Sequence, residues 1–279
     1  GDVYKRQPQS IQSYATLATI IFQTNQNEQH GGQAIPAFDF FMAKGVAKSF
    51  RKHLASFINF YVAMENGTQA DEKAIRTLIK EHLPSIKSTE AERETLRIAL
   101  VALQIIIDKE HLTRIAEKAY QQTKKDTHQA MEGFIHNLNT MHSRGGNQVV
   151  FSSINYGTDT SAEGRLVIEE LLKATIEGLG TRGEVPVFPI QIFKVKDGVS
   201  YSEKDFEKAM KAENIEDAMR GTYEAPNFDL LLRACQTTSK ALFPNFMFLD
   251  TPFNKNEKWK ADDPKRYIYE LATMGCLSL

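Results

Sequence analysis

Cysteine is scarce in this sequence, since only Cys235 and Cys276 occur among 279 residues. Two thiols exclude a disulfide framework and a four-cysteine zinc site, so each is either a core residue or a reactive one. An excess of charge is lacking too, because 34 Lys and Arg stand against 35 Asp and Glu. This balance removes the electrostatic argument for a nucleic-acid or membrane-surface partner, and we expect neither.

Long apolar runs are also missing from the sequence. The longest, around residues 98–107, is interrupted by Gln104 and is too short to cross a bilayer. The N-terminus lacks the apolar centre of a signal peptide, so we expect a cytoplasmic protein. The composition that remains, 42% hydrophobic and 25% charged residues, is that of a globular chain of one or two domains.

The first half of the chain has the periodicity of helices. Apolar residues recur every three or four positions from Pro8 to about Ser143, with little of the alternation that marks strands. The spacing predicts helices over 10–28 and 37–64, and then one long helix or two in line over 89–141. Ser88, followed by Ala91 where a capping box has Glu, gives only a partial capping signal for that last segment.

The second half has a different pattern, in which short apolar runs alternate with helical segments. This pattern predicts α/β units around a buried sheet. Strands are expected over 149–155, 187–195 and 245–250, with a strand-like segment over 267–276. Helices are expected from a cap at Thr160 or Ser161 to Gly178, and over 203–219 and 228–242.

Each cysteine has a plain structural interpretation. Cys235 lies on the apolar face of its predicted helix, which favours a packed thiol. Cys276 follows Gly275 at the end of a strand-like segment, where a flexible tip could carry the thiol into a cavity. Spacing alone still favours a structural role for Cys276.

Phosphate and metal sites have weak signals. The polar turn over 155–161 lies between a strand and a helix, so its N–H groups could hold phosphate, but it is not a P-loop and a plain capped turn is the simpler interpretation. A basic group on the second helix is usually solvated, although phosphate would suit it; its members are Lys44, Lys48, Arg51 and Lys52. The carboxylates near His111 and His128 are expected on solvated helix faces, so no metal is assigned.

Nine segments follow one another in order across nearly all of residues 8–276. They are Pro8-Gln-Ser-Ile11, Gln29-His-Gly-Gly32, Thr123-Lys-Lys125, Asn137-Leu-Asn-Thr-Met141, Phe151-Ser-Ser-Ile-Asn-Tyr-Gly-Thr158, Ala174-Thr-Ile-Glu-Gly-Leu-Gly180, Pro186-Val-Phe-Pro-Ile-Gln-Ile-Phe-Lys194, Leu242-Phe-Pro-Asn-Phe246 and Met274-Gly-Cys276. Together they resemble the anaerobic, class III ribonucleoside-triphosphate reductases, which are glycyl-radical enzymes.

The resemblance implies an α/β fold in which a helical region precedes the first half of a ten-stranded α/β barrel. Residues 8–147 would form the helical region, which dimerises and binds effector. Residues 148–276 would form the half-barrel, ending at the finger loop of the radical cysteine. Residues 1–7 and 277–279 depart from the family pattern and are expected to be non-native ends.

The resemblance also implies a reaction, the reduction of ribonucleoside triphosphates for deoxyribonucleotide biosynthesis and DNA replication. Cys276 falls on the cysteine whose thiyl radical abstracts the ribose 3′-hydrogen, and Asn155, Gly157 and Thr158 would face the substrate. The family's reductant cysteine, zinc-binding cysteines and glycyl radical would lie outside this chain, which has no Arg-x-Cys-Gly-Tyr-like segment. The chain alone is therefore expected to be an inactive fragment.

Regulation and partners are implied in the same way. Gln9 and Lys52 match effector-contacting positions, Lys52 standing at a phosphate-binding lysine, for a deoxynucleotide or ATP at a homodimer interface. A radical-SAM activating enzyme is the expected protein partner. Gln9 and Ile20 differ from residues that can occur in the family, so the base preference is open. The alternative function is a non-catalytic, nucleotide-binding regulatory domain that dimerises through its helices.

Overall fold

The computed structural model describes residues 7–28, 33–140, 151–241 and 245–250. Its helices are α1 (Ile11–Glu28), α2 (Phe38–Asn66), α3 (Glu72–His82), α4 (Glu90–Leu100), α5 (Lys109–Thr140), α6 (Ala162–Glu177), α7 (Glu203–Met210), α8 (Ile215–Met219) and α9 (Phe228–Ala241). Its strands are β1 (Gln33–Ile35), β2 (Ser152–Tyr156), β3 (Ile190–Val195) and β4 (Phe246–Asp250). The strand-like segment predicted over 267–276 lies outside the described residues. Within the described ranges, no helix has both the length and the apolar character needed to cross a membrane.

The four strands form one parallel sheet, and their order in the sheet is their order in the chain. Ile154 lies opposite Ile35 on one side of β2, and Asn155 lies opposite Ile192 on the other. Parallel neighbours need long crossover connections, which the helices between successive strands supply. Strands β2 and β3 are buried along almost their whole length, as in sheets covered on both faces. The predicted α/β class is confirmed at this level.

Strand β1 corrects the prediction that the first half of the chain is helical throughout. It has only three residues, Gln33–Ile35, so it is too short for a period of two to be visible. The strand exists through its pairing with β2, next to which the N–H of Gln33 donates to the carbonyl oxygen of Phe151 at 3.3 Å.

Helices α1 and α2 confirm the predicted helices over 10–28 and 37–64. The helix α2 ends at Asn66, and Gly67 follows with φ of +67° and donates its N–H to the carbonyl oxygen of Ala63. This left-handed glycine is a common helix C-cap, because only glycine adopts it without strain.

The segment predicted as one helix, or two in line, over 89–141 is two helices that pack against each other. A short 3₁₀ turn, Val101–Leu103, follows α4, and Gln104 then takes a left-handed conformation with φ of +60°. Lys109 at the start of α5 forms an ion pair with Glu90 at the start of α4, so residues 101–108 return the chain to the start of α4 before α5 begins.

The cap of α4 differs from the partial signal at Ser88. Thr89 is the N-cap residue: its hydroxyl accepts from the N–H of Glu92 at 3.1 Å, and the Glu92 carboxylate accepts from the N–H of Thr89 at 2.9 Å. This is a complete capping box, one residue further along the chain than expected.

The second half follows the predicted order with shorter elements. Ser161, one of the two expected caps, begins α6 by accepting from the N–H of Gly164 at 3.0 Å. The helix predicted over 203–219 is instead the pair α7 and α8, because Asn214 caps a new helix by accepting from the N–H of Asp217. Strand β3 begins at Ile190 rather than at 187.

One hydrophobic cluster extends from the helical half into the sheet. Phe38 of α2 stacks on Phe134 of α5 with 5.1 Å between ring centroids. Ile154 and Tyr156 of β2 and Leu166 of α6 belong to the same buried cluster. The first turn of α2 is thereby held against the end of β2, where the candidate site lies.

Candidate functional site

The turn between β2 and α6 is the centre of the candidate site. Gly157 in this turn has φ of +124°, which favours glycine. A Cβ atom at this position would lie 3.0 Å from the carbonyl oxygen of Lys194, because β3 passes directly beside the turn. Glycine therefore allows the close approach of two backbones here.

The carboxylate of Asp39, in the first turn of α2, binds the N–H groups of this turn. Its Oδ2 accepts from the N–H groups of Gly157 and Asp159, each at 3.0 Å, and its Oδ1 accepts from that of Phe40 at 3.0 Å. The start of a helix favours a negative charge. Two N–H groups that the sequence suggested for binding phosphate thus bind the carboxylate of Asp39 instead.

The carbonyl groups of the same turn are bound by Asn227, which precedes α9. Its Nδ2 donates to the carbonyl oxygens of Gly157 at 3.0 Å and Asp159 at 2.8 Å. Arg165 of α6 donates to the Oδ1 of Asn227 at 3.0 Å and forms a two-point ion pair with Asp229, at 3.0 and 2.7 Å. Asp39 therefore binds the N–H groups of the turn, and Asn227 binds its carbonyl groups.

Two buried carboxyl groups, those of Asp39 and Asp159, lie at this centre. Burial, and then the charge of Asp39, raise the pKa of Asp159 to about 7. Burial also raises the pKa of Asp39, against the effects of its N–H donors and of Lys194. Three N–H groups lower the pKa of Asp39 against its burial, whereas Asp159 accepts from one N–H group, that of Ser161 at 2.9 Å. The centre can take up or release a proton near neutral pH.

The three residues predicted to face the substrate are brought together in and beside this turn. Asn155 and Thr158 are fully buried, and Gly157 lies between them. Side chains alternate along a strand, so Asn155 lies on the sheet face opposite to that of Ile154 and Tyr156, which join the helical core.

The predicted effector residues lie in α2 and just before α1, and both are exposed. The ammonium of Lys48, one helical turn before Lys52, donates to the carbonyl oxygen of Pro8 at 2.8 Å and to the hydroxyl of Tyr14 at 3.2 Å. Pro8 immediately precedes Gln9. The chain around Gln9 is thus held one helical turn from Lys52.

The basic face of α2 is less solvated than expected. Lys48 and Arg51 are both half-buried, and burial lowers the pKa of Arg51 while the charge of Glu163 opposes this effect. Lys44 and Lys52 remain exposed.

Of the two cysteines, Cys235 lies among the described residues. Cys276 lies outside the described residues. Cys235 is half-buried in α9, and burial raises the pKa of its thiol. A thiol that resists ionisation is a poor nucleophile, which agrees with a packed rather than a reactive role for Cys235.

His128 also meets carboxylates that come from another helix, whereas Glu132, on its own helix, is exposed as expected. Glu170 of α6 is buried, and its Oε2 lies 2.9 Å from the Nδ1 of His128. Glu177, the last residue of α6, has Oε2 at 2.9 Å from Nε2. Spacing along the sequence of α5 could not reveal partners that come from α6.

Asp39 and Asn227 are the parts of the site that the sequence analysis missed. Asp39 stands between Phe38 and Phe40, and an acidic residue between aromatic residues was an available signal of a buried carboxylate. Asn227 gave no comparable signal, because an asparagine just before a helix is usually only a cap.

Comparison with known proteins places this chain in one family. The family model described as anaerobic ribonucleoside-triphosphate reductase matches residues 1–279. The protein of that name from Escherichia coli K12 is 28% identical over 132 residues, which are 47% of this chain and 16% of the relative. Those of Enterobacteria phage T4 and Haemophilus influenzae are 29% and 27% identical over 46% and 50% of this chain. The matched part spans only 16% to 18% of these relatives' length.

Proposed function

The chain belongs to the anaerobic ribonucleoside-triphosphate reductase family, and from this premise we propose that it is part of the catalytic polypeptide of such an enzyme. The complete enzyme would convert ribonucleoside triphosphates to 2′-deoxyribonucleoside triphosphates in the cytoplasm. The observation that carries the proposal is the family match along the whole chain, together with relatives of that name in bacteria and a phage.

We assign the radical step of this reaction to Cys276. A thiyl radical on its sulfur would take the ribose 3′-hydrogen and form an S–H bond, since the bonds broken and formed are close in strength. The 2′-hydroxyl would then gain a proton and leave as water, and formate or a dithiol would supply the reducing electrons. Return of the hydrogen from Cys276 to the 3′-carbon would restore the thiyl radical. A glycyl radical on another segment of the enzyme would supply the unpaired electron.

The sheet supports the assignment of this chain to the first half of a ten-stranded α/β barrel. Four parallel strands in chain order, joined by helical crossovers, are the repeating pattern from which such barrels are built. Residues 8–147 would form the dimer and effector region and also contribute strand β1, and residues 148–276 would form the rest of the half-barrel.

We propose that substrate lies against the end of β2, at Asn155, Gly157 and Thr158. Asp39 occupies the N–H groups of Gly157 and Asp159, so this turn would not serve as a phosphate cradle unless Asp39 moved away. The contact would instead come from Asn155, on the sheet face away from the helical core. Its side chain is fully buried in this chain, so the atoms that cover it would have to move aside for substrate. Closure of the barrel over that face would exclude water from the radical.

A complete polypeptide with Cys276→Ser tests this function. After anaerobic incubation with a radical-SAM activating enzyme, it should form the glycyl radical seen by electron paramagnetic resonance but no deoxyribonucleotide, because an alcohol O–H bond is too strong to replace the thiol. Cys235→Ser is the matched control and should retain turnover. Equal loss of activity in both variants would contradict the assignment, and so would turnover by the 279-residue chain alone.

For regulation, we propose that a deoxynucleotide or ATP binds between the protomers of a homodimer, near Gln9 and Lys52. The exposed ammonium of Lys52 would bind effector phosphate, and Lys44, exposed on the same helix, provides the control. In the complete enzyme, Lys52→Ala should weaken effector binding about 10- to 100-fold, the effect of one charge-assisted hydrogen bond, whereas Lys44→Ala should not. Calorimetry that gives unchanged affinity for Lys52→Ala, with the dimer intact, would exclude this role.

A further inference from the structure

The helix pair α5 and α6 carries a cluster of side chains that the proposed reductase chemistry does not use. His128 lies four residues before Glu132 on α5, so both side chains emerge on one face of that helix. Glu170 and Glu177 lie two turns apart on α6, which packs along α5. An imidazole and three carboxylates thus meet where the two helices touch.

Two carboxylates compete for one nitrogen of this imidazole. The Nε2 of His128 lies 2.6 Å from Oε1 of Glu132 and 2.9 Å from Oε2 of Glu177. The three ligand atoms lie within 4.8 Å of one another. A single N–H makes one well-aligned hydrogen bond, so it cannot satisfy two carboxylate oxygens equally. The cluster therefore holds more negative charge than one imidazole N–H can satisfy, and an ion would bind after the two carboxylates move outward from Nε2.

The other nitrogen of His128 has a buried partner. Its Nδ1 lies 2.9 Å from Oε2 of Glu170, whose side chain is only 3% exposed. Without an ion, Nε2 carries a proton toward Glu132 and Glu177, and a metal ion would replace that proton. A carboxylate that accepts from Nδ1 keeps the other proton there and leaves the lone pair of Nε2 for the ion, which is how histidine ligands of metals are oriented. The remaining oxygen of Glu170, Oε1, is buried without a hydrogen bond, and it lies within ion-pair distance of two ammonium groups, those of Lys173 at 3.6 Å and Lys124 at 3.9 Å.

We propose that His128, Glu132 and Glu177 bind a divalent transition-metal ion, best matched by zinc, and that Glu170 positions the imidazole. One imidazole nitrogen and two carboxylate oxygens, with water as the fourth ligand, form a tetrahedral zinc set, whereas magnesium prefers oxygen ligands alone. The side chains of Glu132 and Glu177 are 51% and 57% exposed, so they can move apart to make room for the ion. Glu177 also ends α6, where the helix dipole favours a cation.

Such an ion would fasten two parts of the fold to each other. Helix α5 belongs to the helical half, and α6 is the crossover between β2 and β3. The site is therefore structural, and it does not depend on the proposed reductase activity.

The test uses the 279-residue chain stripped of metal with a chelator, titrated with zinc chloride by calorimetry and followed by thermal unfolding. One zinc ion should bind per chain with micromolar or lower Kd and raise the Tm. Cobalt(II) should give the strong visible absorption of a tetrahedral site. In His128→Gln, Glu132→Gln and Glu177→Gln, affinity should fall at least about 10-fold, and Glu170→Gln should weaken it by about 10- to 100-fold at unchanged stoichiometry.

His136→Gln is the matched control, because His136 is exposed on the same helix and does not belong to the cluster. It should bind zinc as the unaltered chain does. Glu132 and Glu177 are exposed, so their variants keep the test valid if His128→Gln unfolds. Absence of a Tm change with excess zinc, or equal weakening by His136→Gln and by the cluster variants, would overturn the proposal.

Discussion

Asn139 and Phe188 are joined by hydrogen bonds in both directions. The Nδ2 of Asn139 donates to the carbonyl oxygen of Phe188 at 2.6 Å, and its Oδ1 accepts from the N–H of Phe188 at 3.1 Å. The same Oδ1 accepts from the N–H of Val187 at 2.8 Å. One side-chain amide from the end of α5 thus acts as a strand partner for the segment that leads into β3.

Asn139→Ala should lower the free energy of unfolding by about 1–3 kcal/mol, because three hydrogen bonds to the backbone of Val187 and Phe188 are lost. Urea unfolding at neutral pH measures this change. His136→Ala, an exposed position on the same helix, should change the stability by no more than about 0.5 kcal/mol. Equal stability of the two variants would show that the Asn139 contacts add nothing.

Two helical glycines should respond to alanine with opposite signs. A Cβ at Gly164 would lie 2.1 Å from the carboxylate of Asp159, so Gly164→Ala should destabilise the chain by about 1–3 kcal/mol through overpacking. A Cβ at Gly133 meets no atom within 4 Å among the described residues outside its own helix. Gly133→Ala should therefore stabilise the chain by up to about 1 kcal/mol through helix propensity. Thermal unfolding of both variants measures these changes in stability. If both variants are stabilised, or both destabilised, the packing argument is wrong.

The carboxyl of Asp159 should make stability depend on pH. Its pKa of about 7 in the folded chain exceeds that of an unfolded Asp, so the folded chain binds the extra proton between those values. The contribution is fully present below about pH 4 and is lost as the pH rises through about 7, so stability should fall from about pH 4 to about pH 7 and then level off. Asp159→Asn keeps an acceptor for the N–H of Ser161 and should reduce this fall by about 1–3 kcal/mol.

Denaturant unfolding at several pH values measures this dependence, with Glu207→Gln as the control because Glu207 is exposed. The control should keep the slope of the unaltered chain. If the slope of Asp159→Asn is also unchanged, the carboxyl does not titrate in this range.

The cap of α4 can be located by substitution. Thr89→Ala should cost about 1 kcal/mol, because the N–H of Glu92 loses its acceptor. Thr95→Ala, an exposed position inside the same helix, should be neutral or slightly stabilising, since alanine has the higher helix propensity. If Ser88→Ala lowers the free energy of unfolding more than Thr89→Ala does, in the same urea titration, then Ser88 is the cap, as the sequence suggested.

The elements that the sequence predicts well are those whose signals are local. Ser161 caps α6 and Gly67 ends α2 through contacts within their own helical turns, so the residue type is enough to locate them. Strand β1 has no such signal, because three residues become a strand only by pairing with β2. The return of the chain from the end of α4 to its start includes a left-handed Gln104, a conformation that the residue type does not favour.

The candidate site divides in the same way. The turn at Gly157 has a local pattern, a glycine between a strand and a cap, and that pattern predicts a turn. The substrate role of Asn155, Gly157 and Thr158 comes instead from the family resemblance. The partners of that turn, Asp39 and Asn227, come from distant parts of the chain and depend on tertiary packing. The carboxylates of α6 that surround His128 were hidden for the same reason.

The strand order has a consequence for the course of folding. Asn155 of β2 pairs with Ile192 of β3 across one crossover helix, whereas Ile35 of β1 pairs with Ile154 across all of α2 to α5. Closing the longer loop costs more chain entropy, and contacts between residues distant in sequence form slowly. Strands β2 and β3 are therefore the natural nucleus of the sheet. Strand β1 joins them after α2 to α5 have folded and brought β1 close to β2.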